Sequence, residues 1–150
     1  MDLFSLAVNE LNGLLAKGET TSRAVTESVL GRIKAVDSKV QAYITVTGDA
    51  ALAQADKADR DRKAGKASPM LGIPIAIKDN MCTEGIRTTC ASRILENFVP
   101  PYDATVVARL AAAVAFADQR ASRAELGLLK SFQAALGISE DEAAEGIDVI

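Results

Sequence analysis

The chain has 150 residues, enough for one domain with a real core, and 49% of them are hydrophobic against 25% charged, the balance of a globular protein. It contains no histidine and two cysteines at a net charge of −3, which argues against His-dependent triads, a basic nucleic-acid stripe, a disulfide framework and a Cys/His zinc site. Met1–Leu6 has no basic stretch leading into an apolar one, and no apolar run reaches membrane-spanning length, so a cytoplasmic protein with reduced thiols and no membrane contact is expected.

Leu3, Leu6, Ala7, Leu11, Leu14 and Leu15 fall on one helical face, and Lys17-Gly18 supplies a stop. Thr20-Thr21-Ser22 then offers capping hydroxyls to a second helix whose inner face carries Val25, Val29, Ile33 and Val36. Gln41 to Thr47 reads as a short strand, rich in β-branched residues. Gly48-Asp49 turns the chain into a third helix over about Ala50 to Ala64, on which Asp56/Arg60 and Asp59/Lys63 are spaced as i,i+4 pairs of a solvated face. An apolar strand, Leu71 to Ile77, follows and ends at Lys78, with Pro74 fixing its entry and Gly72 and Gly85 read as backbone turns. Residues 79–101 are irregular and close on Pro100-Pro101. Asp103 is placed to cap a helix from Ala104, with Val106, Val107, Leu110 and Val114 facing inward. The remainder is alanine-rich and then carries two capping boxes, Ser122-Arg123-Ala124-Glu125 and Ser139-Glu140-Asp141-Glu142, around a stripe of Leu126, Leu129, Phe132 and Leu136.

Without histidine, a general base on this chain must be lysine or a carboxylate. A lysine leaving a dry strand suits that role, because desolvation disfavours the ammonium and yields a neutral amine. The residues alone equally allow a structural Lys78, its stem packed and its head in water. Asp79 and Asn80 suit tying the following loop to nearby backbone. Cys82 and Cys90 are expected to be small buried residues, since nothing near them lowers a thiol pKa.

The run Gly72-Ile73-Pro74-Ile75-Ala76-Ile77-Lys78-Asp79-Asn80 resembles the first signature block of the amidase signature family. Met81 to Ser92 and Arg93 to Val107 resemble, within that family, the A subunits of bacterial glutamyl-tRNA(Gln) amidotransferases. The resemblance covers about Leu3 to Leu110. It implies a Ser–cis-Ser–Lys mechanism in which Lys78 stands at the catalytic lysine, relaying a proton through a bridging serine. It also implies glutamine hydrolysis, with ammonia passed on for amidation of misacylated Glu-tRNA(Gln). The implied partners are the B and C subunits, with tRNA engaged only indirectly. ATP and Mg²⁺ are used by the family's complex, and no cofactor or metal is expected on this chain itself.

The family's two serines lie downstream in a Gly/Ser-rich block, and no Gly-Ser-Ser stretch occurs here, so the chain is expected to hold no nucleophile and to be inactive alone. Ser68 and Ser92 do not match those positions. The expected fold is α/β: part of an amidase-signature domain over residues 1–110, with helices around a mixed sheet, and an all-helical tail of uncertain origin over 111–150. The tail weakly resembles helical modules of the tellurite-resistance TerB type. The alternative reading is a non-catalytic helical interaction or assembly module derived from a truncated or recombined amidase gene.

Overall fold

The computed structural model describes residues 2–68 and 70–115. The two capping boxes and the Leu126–Leu136 stripe lie outside the described residues. A 3-10 turn, Leu3–Ser5, leads into α1 (Val8–Lys17), α2 (Ser22–Val40) and α3 (Gly48–Lys63); a second 3-10 turn, Arg93–Leu95, precedes α4 (Thr105–Ala115).

The first helices begin and end for local reasons. At the start of α1 the Glu10 carboxylate accepts the Ala7 N–H at 2.8 Å, the acidic half of a capping box whose other half alanine cannot supply. Gly18 closes α1 in the left-handed region at φ 71°, and the Glu19 N–H reaches back to the Leu14 carbonyl at 2.9 Å. Thr21 caps α2, its hydroxyl accepting the Ala24 N–H at 3.1 Å. Leu11, Leu15 and Val25 form the buried cluster between α1 and α2, with Leu3, Leu6 and Ile73 packed against it.

The charges of α3 depart from the expected solvated pairs. Asp59 accepts the Ser22 N–H at 2.7 Å and the Arg23 N–H at 3.1 Å, so one helix caps the next. Asp56 pairs with Arg23 at 2.7 Å rather than with Arg60. These carboxylates face the exposed N–H groups of α2, where the helix dipole favours negative charge.

The expected mixed sheet is corrected: among the described residues there is no strand, and pairing is limited to an isolated bridge between Thr83 and Ile86. Over Gln41–Thr47 the backbone groups find side chains instead of a ladder. Asp37 Oδ1 accepts from Ala42 N–H at 2.8 Å, and Arg87 donates to the Ile44 carbonyl at 3.1 Å. The Leu71–Ile77 segment is apolar as a strand should be, yet the described residues bring no second strand beside it. Asp103 is likewise not a helix cap, because its carboxylate accepts the Glu84 N–H at 2.7 Å. α4 runs from Thr105 to Ala115 without a break at residues 110 and 111. Between α3, the 70–77 segment and α4 lies a groove of about 740 Å³ whose walls include Ala55, Ile75, Ile77, Ile86, Val107 and Leu110.

Candidate active-site lysine and its supporting loop

Lys78 owes its position to the way Leu71–Ile73 is fastened to the helices. Arg62 on α3 donates to the Leu71 carbonyl at 2.7 Å. Gly72, at φ 79°, lies so close to α2 that a Cβ there would strike Ser22, with Ala58 Cβ only 3.4 Å away. Ser22 is fully buried and its hydroxyl finds no hydrogen-bond partner. The segment therefore leaves the helices in a fixed direction, toward Lys78.

The other end is fixed by a turn and a clamp. The Met81 N–H donates to the Lys78 carbonyl at 2.9 Å. The Asp79 carboxylate accepts the Thr89 N–H at 3.0 Å, the Thr89 hydroxyl at 2.6 Å and the Ala91 N–H at 3.2 Å. Its own carbonyl accepts the Cys90 N–H at 3.1 Å. Cys90 and Ala91 sit at φ 51° and 55°, a conformation that side chains disfavour and that the clamp holds in place. The Thr89 hydroxyl, then the Thr89 N–H, the Ala91 N–H and the Arg87 charge hold the Asp79 carboxyl below the usual carboxylate range, against a smaller opposing effect of burial.

The expectation of a desolvated lysine is corrected. Ile75, Ala76, Ile77 and Lys78 are all exposed, and the Lys78 ammonium makes no hydrogen bond among the described residues. Its segment has no paired strand to dry it. Asn80 is exposed beside Asp79, in the turn that Met81 closes. The buried-cysteine expectation is corrected as well, since Cys90 is exposed and Cys82 half-buried. At Cys90 the backbone turns toward Asp79, and its left-handed geometry leaves the thiol in solvent. Cys82 donates to the Tyr102 hydroxyl across 3.6 Å.

Neither serine of the window approaches the lysine. Ser92 is engaged as the cap of the Arg93–Leu95 turn, accepting the Ile94 N–H at 3.3 Å, and Ser68 accepts the Met70 N–H at 3.3 Å. Sequence reading missed Thr89 and Arg87, which support the loop. A Thr-Thr pair followed by small residues was the available signal for Thr89. Among the described residues no three Cys, Asp or Glu side chains gather as a metal site, and no helix is long and apolar enough to cross a membrane. The residues therefore do not fit a bound Mg²⁺, and no step is derived through it.

A lysine delivered by an apolar segment into a carboxylate-clamped turn, within this sequence pattern, is an amidase arrangement, and the chain belongs to the Amidase family, whose profile matches residues 24–125. Its relatives are of one kind. It is 49% identical over 146 residues to the A subunit of the glutamyl-tRNA(Gln) amidotransferase of Geobacter sulfurreducens, covering 97% of this chain and 28% of that protein. With the corresponding protein of Geotalea daltonii it is 56% identical over 112 residues, 75% of this chain and 23% of the relative. The chain thus spans about a quarter of the length of these curated relatives. Among solved structures it is similar to an inhibitor-bound chain of a vestigial protein complex described as revealing the evolutionary origins of an s-triazine catabolic enzyme. The TM-score is 0.67 at 34% identity, covering 72% of this chain and 24% of that one.

Proposed function

We propose that this chain is the lysine-bearing N-terminal portion of the glutaminase (A) subunit of a glutamyl-tRNA(Gln) amidotransferase. The observation that carries the reading is Lys78 at the exit of the fixed Leu71–Ile77 segment, next to the Asp79 clamp, in a chain about half identical to such subunits over its matched length. In this reading Lys78 takes the proton of a nucleophilic serine through a bridging serine and returns it to the leaving nitrogen, because an amide nitrogen departs poorly unless protonated. Both serines lie in the part of the family's domain that this chain does not contain. The ammonia released from glutamine serves amidation of misacylated Glu-tRNA(Gln) with the B and C subunits, in the cytoplasm, with ATP and Mg²⁺ consumed elsewhere in that complex. The portion assigned is residues 1–110, with 111–150 a separate helical tail. The Geotalea match over 112 residues supports that division, whereas the family match through residue 125 runs past it.

The test is ammonia release from glutamine by the purified chain. None is expected, and release that Lys78→Ala abolishes would overturn the claim that the chain is inactive alone. Lys78→Ala is a clean probe, since an exposed side chain without a bond changes stability by less than about 0.5 kcal/mol. A second reading, an interaction or assembly module without catalysis, is favoured by one observation: Ile75 and Ile77 remain exposed on an apolar segment. Its mark is tight binding to other amidotransferase subunits with no effect of Lys78→Ala on any activity.

A further inference from the structure

Ile73, Ile75 and Ile77 recur with the two-residue period that places side chains on one face of an extended chain. Pro74 has a fixed φ and biases Ile73 before it toward extended backbone. Ile73 packs on the Leu11, Leu15 and Val25 cluster, but Ile75 and Ile77 are 44% and 38% exposed and border the groove. Over Ile75, Ala76 and Ile77 the backbone N–H and C=O groups make no hydrogen bond among the described residues. An apolar segment with unused backbone groups is a template for another strand.

The segment is also held ready. At one end it is fastened by the Arg62–Leu71 bond and the Gly72–Ser22 contact, at the other by the Met81–Lys78 turn and the Asp79 clamp. Holding both ends lowers the ordering cost of binding. The size of the occupant follows from the relatives, since this chain corresponds to about a quarter of an amidase chain and lacks the rest. We propose that Ile73–Ile77 and the adjoining groove form a strand-docking edge whose occupant is the missing remainder of an amidase-family domain, presenting an apolar, β-branched strand to Ile75–Ile77. The inference rests on the family reading for the occupant's identity, and it does not require Lys78 to be catalytic.

The experiment co-expresses the tagged 150-residue chain with the portion of the Geobacter sulfurreducens relative that this chain does not match. The expected result is capture of that portion as an equimolar complex, with amide hydrogen exchange at Ile75–Ile77 slowed at least about tenfold relative to the chain alone. Ile75→Lys and Ile77→Lys each weaken capture at least about tenfold. Val40→Lys, on the exposed C-terminal end of α2, does not. Circular dichroism equal to that of the unchanged chain identifies the folded variants to be compared, and at least one of the two isoleucine variants is expected to pass because both positions are exposed. Three results would overturn the proposal. One is failure to capture the remainder, whether that fragment is soluble or not. Another is full amide protection at Ile75–Ile77 in the chain alone, which would assign the edge to residues 116–150 or to a second copy. The third is capture indifferent to both isoleucine variants. Ammonia release from glutamine by the complex, lost in Lys78→Ala, tests the proposed function separately. Capture without it leaves the docking edge standing and removes the catalytic role of Lys78.

Discussion

Three hydrogen bonds end on the Asp79 carboxylate, two from Thr89 and one from the Ala91 amide. Replacing it by asparagine leaves one oxygen to accept them and turns an amide NH₂ toward an N–H donor. Asp79→Asn is therefore expected to cost about 1–3 kcal/mol at neutral pH, read from urea unfolding. Because the folded carboxyl lies below the usual range, its contribution is fully present above the unfolded value of about 3.9 and disappears as pH falls through the lower folded value. The gap between the two proteins should consequently narrow toward about pH 2, and a constant gap would show that charge is not what matters. Gly72 and Ser22 make a contrasting pair. Gly72→Ala meets both a positive φ and the Ser22 side chain, so a loss of about 2–4 kcal/mol is expected. Ser22→Ala removes a buried hydroxyl that has no partner, and a change between neutral and slightly stabilising is expected.

At the scale of elements, the α2–α3 pair rests on carboxylates that a sequence reading assigns to the wrong neighbours. The i,i+4 spacing of Asp59 and Lys63 is a local signal, whereas the N–H groups of Ser22 and Arg23 come within reach only when the helices pack. Helix starts and stops were legible because their causes are local: Gly18 after Lys17, and the Thr21 hydroxyl before Ala24. The Asp103 cap was not, since the Glu84 N–H that takes the carboxylate arrives from a distant loop. Asp59→Ala and Asp56→Ala separate the two kinds of contact. Losing the cap is expected to cost about 1 kcal/mol or more. The exposed Asp56–Arg23 pair should contribute less than about 1 kcal/mol and fade with added salt. Thermal unfolding at low and high ionic strength checks both. Equal losses for the two variants would contradict the capping role of Asp59.

At the scale of the whole molecule, apolar composition and β-branching identified the Leu71–Ile77 and Gln41–Thr47 segments as strand-like, but a ladder is a property of two segments. The first has no described partner, and the second spends its backbone groups on Asp37 and Arg87. The same distinction governs the site. The lysine, the turn after it and the family could be read from one contiguous run of residues, whereas Lys78's exposure depends on what lies beside the strand. Stability should be distributed accordingly, because local opening is hardest where apolar contacts are densest. Val25 and Leu15 are buried among α1, α2 and the turn before them, and Thr26 is buried one residue on from Val25. Ile75–Ile77 lacks both burial and hydrogen bonds among the described residues. Native-state hydrogen exchange is thus expected to be slowest at the amides of α2 near Val25 and Thr26, intermediate at Thr89 and Ala91 within the Asp79 clamp, and fastest over Ile75–Ile77. Asp79→Asn should accelerate the intermediate class and leave the α2 amides in step with the global loss of stability. If Thr89 and Ala91 instead exchange only with α2 in both proteins, the clamp opens with the whole fold rather than as a unit of its own.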